Sequence, residues 1–183
     1  MEAMGHELLA AVSVAGRVCV GLVFVLAATQ KAQHWRILFG VIANYRLLPP
    51  MLVGPVAVLL PPVEMLSGLL LLSAQFRPLG ELAAIGLLML FGGAMAVNLK
   101  RGRAHIDCGC GQSFLKQSLS WILVWRNAGL MALLLPSLVF RDAMTMPLAL
   151  TGVGAGLAFF VLYLLFNTLC ALPRPETRGH RFA

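Results

Sequence analysis

The sequence predicts an all-α membrane protein, a polytopic helix bundle of about five transmembrane helices. Three observations carry this. Of the 183 residues 60% are hydrophobic and 11% charged, a balance too apolar for the surface of a soluble domain of this length. The apolar residues come in long unbroken runs, whereas membrane barrel strands alternate polar and apolar residues over about ten positions. The Lys and Arg residues gather between certain runs and avoid others.

A hydrocarbon core about 30 Å thick takes about 20 apolar residues per helix. This defines spans at 8–29, 51–74, 79–99, 119–140 and 146–171 within a single integral membrane domain, 1–172, followed by a tail, 173–183, expected to be disordered. The first span is expected to stay as a helix rather than be cleaved as a signal peptide. It is preceded by Glu2 and Glu7 in place of a basic region and is interrupted by Arg17. Between the first two spans, Lys31 to Pro50 carries His34, Trp35, Asn44, Tyr45 and Arg46 on an amphipathic stretch. It is expected to lie along the membrane surface and to form one wall of a docking site under the loop at 100–118.

The second span carries Glu64 near its middle. Charges at such depth face the bundle interior and pair, so Arg17 and Glu64 are predicted to contact each other. Pro61 and Pro62 free backbone carbonyls beside Glu64 and are expected to kink the helix. The outcome is either a polar pocket for a quinone or a peptide, or an ion pair that only fixes helix register. In the third span Gly92, Gly93, Ala94 and Ala96 suit close helix packing. In the fourth, Arg126 and Asn127 lie about two turns in, where snorkelling to the interface is the simplest account. The fifth holds Gly152 and Gly156 at the small-xxx-small spacing of close helix contacts.

The charge of +7 is topological. Ten Lys and Arg residues fall after the first span, after the third and in the tail, against Arg77 and Arg141 on the opposite side. The N-terminus is therefore expected outside and the 100–118 loop on the cytoplasmic face, with the lipid bilayer and not nucleic acid as the partner of this charge.

That loop contains Asp107-Cys108-Gly109-Cys110-Gly111. Structural disulfides do not persist in a reducing cytosol, so the pair is expected to be a reactive redox couple, unless the loop re-enters the bilayer. Gly109 and Gly111 permit either backbone. Residues i and i+2 can reach disulfide distance, but the ring is small and strained, and strained disulfides are oxidising. Lys100, Arg101, Arg103 and His105 favour the thiolate; Asp107 opposes it and can instead move a proton. Cys108 and Cys110 are the candidate catalytic residues. Cys170, ending the fifth span on the same side, is a candidate third thiol, while Cys19, mid-span, is expected to be a packed core residue. The pair with His105 supplies only part of a tetrahedral zinc site, so no metal is expected.

These residues together resemble the methylamine utilisation protein MauE family, small membrane proteins related to the DoxX-like group. The resemblance rests on Asp107 to Gly111 between two spans, Arg17, Lys31, the run Asn44-Tyr45-Arg46-Leu47-Leu48-Pro49, Glu64 and Arg126-Asn127, and covers nearly the whole chain. It implies a four-helix DoxX-like core plus one helix in the bacterial inner membrane. It further implies a role in maturing the small subunit of methylamine dehydrogenase, a disulfide-rich periplasmic protein with a tryptophan-derived quinone cofactor. A thioredoxin-like, periplasm-facing MauD-type protein is the implied partner. The expected mechanism is a thiol–disulfide relay through Cys108 and Cys110, in either electron direction, with no cofactor evident beyond the candidate quinone. The competing class is a non-catalytic scaffold or export factor. A transporter is disfavoured by five spans without an inverted repeat.

Overall fold

The computed structural model describes residues 2–73, 75–106, 108, 118–139 and 146–171. Its elements are α1 (Glu2–Gln33), α2 (Trp35–Tyr45), α3 (Pro50–Leu72), α4 (Arg77–Lys100), α5 (Trp121–Val139) and α6 (Met146–Ala171). Five of them, all but α2, are long and apolar enough to cross a membrane. The chain is a multi-pass membrane helix bundle, and the expected 173–183 tail lies outside the described residues.

α1 is the hub. It packs against α3, α5 and α6, while α4 bridges α3 and α5, so that α1, α3, α4 and α5 close a four-helix ring with α6 outside it. Burial follows from this arrangement: 56% of the apolar window of α1 is buried, against 11% for α6. Val20, Val23 and Phe24 of α1 meet Leu71, Ala84, Leu88, Leu130 and Leu134 at the ring's centre, and Cys19 is buried beside them, 1% exposed. Most other large apolar side chains point outward, as they must where the surrounding medium is hydrocarbon.

α6 runs parallel to α1. A Cβ on Gly152 would stand 2.7 Å from the Val14 Cβ, and one on Gly156 2.7 Å from the Val18 Cβ and 2.8 Å from the Ala15 carbonyl. Only a residue without a side chain lets the two backbones approach so closely, which is the role expected of this pair.

α1 and α2 are one helix broken at His34, whose φ of −121° and ψ of 41° turn the chain. α2 is amphipathic. Leu38 and Val41 are buried, while Trp35, Ile37 and Phe39 are exposed. It ends on Arg46 in the left-handed region, φ 47°, whose N–H returns to the Ala43 carbonyl. Pro49 and Pro50 then start α3, Pro50 sitting where a missing N–H costs nothing. α3 runs as one helix through Pro55, Pro61 and Pro62.

Candidate functional site

Four charged side chains are withdrawn into the ring, and they pair differently from the expected Arg17–Glu64 contact. Arg17, 7% exposed, lies at the α3–α4 turn. Its Nη2 donates to the carbonyls of Leu71 at 2.8 Å and Ser73 at 3.0 Å, and its Nε is 3.9 Å from Glu81 Oε1. A guanidinium on the last carbonyls of α3 neutralises the negative end of that helix where water does not. Glu64, 1% exposed, pairs instead with Lys31 near the opposite end of α1. The expected contact fails because α1 and α3 are antiparallel: Arg17 falls level with the end of α3 and Lys31 with its middle.

Lys31 is thus no loop residue. α1 continues to Gln33, carrying the ammonium inside the bundle, paired with Glu64 and 4.7 Å from the centre of the Phe91 ring. Lys31 therefore drops out of the charge count that orients the chain. Arg126 does not simply snorkel. Its Nη1 donates to Asn167 Oδ1 at 2.5 Å and its guanidinium lies 5.6 Å from the Tyr163 ring, tying α5 to α6. Lys31, Glu64, Arg126, Asn127 and Tyr163 share a cavity of about 40 Å³ at the heart of the bundle.

Cys108 is buried, 4% exposed, in a second core with Met95, Ile106, Leu119 and Leu123. Two bonds fix it there. The Tyr45 hydroxyl of α2 donates to the Cys108 carbonyl at 3.1 Å, and the Leu119 N–H donates to the Ile106 carbonyl at 3.0 Å, closing the loop's base. His105, immediately before Ile106 of this core, is exposed. Asp107, Gly109, Cys110 and Gly111 lie outside the described residues. Cys170, in the last turn of α6, is half-buried at the same end of the bundle, but on a helix packed against α1 rather than in the Cys108 cluster. Among the described residues no three His, Cys, Asp or Glu side chains gather as metal ligands.

Beside Cys108 opens a cavity of about 450 Å³ between α2, α3 and α4. It exists because α1 stops at the level of Glu64, midway along α3, so that beyond it the wall on that side is missing. α2 supplies Leu38, Val41, Ile42 and Tyr45; Lys31 lies at the cavity's α1 end and Cys108 in its wall. Of the amphipathic stretch, α2 lines the same cavity as Cys108. Sequence reasoning passed over Lys31 as an intramembrane charge, and over Glu81 and Asn167. A signal for the first was present: Arg17 and Lys31 are fourteen residues apart, four helical turns, and share one face of α1.

Comparison with known proteins places this arrangement. The family model for methylamine utilisation protein MauE matches residues 9–140, nearly three quarters of the chain. The chain belongs to the MauE family. It is 38% identical to methylamine utilization protein MauE of Paracoccus denitrificans, over 88% of each chain. With the protein of that name from Methylorubrum extorquens it shares 42% identity over 78% of each, and with that of Paracoccus versutus 39% over 82%. No solved structure matches. The MauE match takes in α1 to α5, both ion pairs and the cysteine loop, and ends before α6.

Proposed function

We propose that this protein serves methylamine utilisation in the bacterial inner membrane as a thiol–disulfide relay. In this reading Cys108 and Cys110 cycle between dithiol and disulfide, exchanging with the active-site pair of a thioredoxin-like MauD-type partner. The exchange supports maturation of the methylamine dehydrogenase small subunit. The observation that carries the reading is the setting of Cys108, held by Tyr45 against a packed core and facing a cavity rather than hanging in a loose loop. Burial by itself makes a thiol inert, so in this reading Cys108 reacts through the cavity it lines, with whatever reaches it there. Membership of the MauE family supplies the pathway. Spacing supplies the chemistry, since a closed i, i+2 pair is strained and passes its oxidising equivalents on readily.

The test is replacement of both cysteines by Ser in a host growing on methylamine. A relay predicts that active methylamine dehydrogenase falls to background while the variant still accumulates in the membrane. Unchanged maturation would make the protein a scaffold. Membrane-impermeant thiol reagents on intact cells and inverted vesicles, before and after reduction, then report from which side the pair is served.

A further inference from the structure

We propose that the 450 Å³ cavity beside Cys108 is a binding site for the ring of a lipid-soluble quinone, which takes two electrons from the Cys108–Cys110 dithiol. The proposal rests on the relay reading and adds its electron acceptor. Its first support is position. The cavity lies between membrane helices, and its rim carries Met89 and Leu90, 61% and 60% exposed on α4, and Leu47, 39% exposed. A sideways way in from the bilayer is therefore open to a hydrophobic molecule.

Size and lining follow the same direction. A volume of about 450 Å³ falls within the roughly 300–1,000 Å³ of small-molecule sites, which are mostly apolar with a few fixed polar groups. Here Lys31 is that group. An ammonium has three donors, and Glu64 and the Phe91 ring hold this one in place at the cavity's edge without using all of them. A fixed cation in an apolar site is complementary to a quinone carbonyl, and more so to the negative charge that builds on its oxygen during reduction. An acyl chain, the other candidate occupant from the bilayer, makes no use of an ammonium or of a thiol.

The step balances. Two S–H bonds break and one S–S bond forms; the two electrons and two protons pass to the quinone's carbonyl oxygens, giving a hydroquinone with two O–H bonds. The dithiol is regenerated by reduction from the partner's dithiol, so electrons run from partner to quinone.

The experiment uses the full chain in nanodiscs free of quinone, with an arylazido short-chain ubiquinone as photoprobe and peptide mapping as readout. Gly93 lies in the cavity lining and a Cβ there meets nothing within 4 Å, so the side chain of Gly93→Phe starts in open space at the cavity and competes for it. Expected are labels on α2 and α4 that unlabelled ubiquinone competes away, persist in Cys108→Ser/Cys110→Ser, and weaken roughly tenfold or more in Gly93→Phe. Reduced wild type is expected to yield one hydroquinone per chain, and the double Ser variant none. Labelling spread along all outer helices without competition, as when an acyl chain fills the cavity, overturns the site, and so does labelling unchanged in Gly93→Phe. If the pair still cycles with a small dithiol in that case, the relay stands without the quinone. Competed labelling on α2 and α4 without hydroquinone from the reduced protein overturns the electron transfer.

Discussion

Lys31 and Glu64 form the pair on which the cavity end of the bundle depends. With side chains 11% and 1% exposed, neither has water to fall back on. Removing one partner of a buried ion pair costs far more than the pair contributes, because the survivor keeps its desolvation penalty. Lys31→Met alone, or Glu64→Gln alone, is expected to lower stability in detergent by about 3 kcal/mol. The double variant is expected to lose clearly less than the sum, and thermal unfolding of the four proteins of the cycle reads the difference. Additive losses would show that the two groups act independently. Legibility at this scale was partial. Depth alone says that Glu64 must pair, but not with which cation, because two residues on one face of α1 qualify and only helix stagger chooses between them. Glu81 was overlooked because it falls in the first turns of its span, where charge normally reaches water; here Arg17 draws it inward, 1% exposed.

At the scale of elements, hydropathy made all five long helices readable, since a helix that must cross about 30 Å of hydrocarbon leaves an unmistakable run. What it did not give was the break at His34. The extent of α1 past the apolar run to Gln33 escaped for a related reason: Lys31 looks like a boundary when its partner is unknown. The Gly152 and Gly156 spacing was legible, because a stripe of missing side chains records a backbone approach directly. Gly156→Val tests it. The added carbons would overlap Val18 and the Ala15 carbonyl, and pushing α6 off α1 is expected to cost about 1–3 kcal/mol, the usual penalty of overpacking. Gly154→Val, where a Cβ meets nothing, is the control and is expected to leave the melting temperature unchanged.

For the molecule as a whole, five crossings put the start of α1 and the end of α6 on opposite sides of the membrane. The parallel run of α1 and α6 puts Lys31, Cys108 and Cys170 at one end. Reporter fusions at Met1 and Ala183 are expected to report opposite compartments, with the C-terminal fusion on the side of the basic loops; equal signals from both would remove one crossing.

The position of α6 outside the ring also bears on how the protein is made. The four helices that enclose both ion pairs lie within residues 2–139. A chain emerging from the ribosome N-terminus first can thus begin to close the ring before its last span enters the membrane. α6 then arrives as a late clasp, guided along α1 by two glycines and fastened by Asn167 to an arginine already in place. The order of synthesis and the order of packing coincide: the ion pairs of α1 with α3 and α4 do not wait for the final helix, while Arg126 gains its partner when that helix docks.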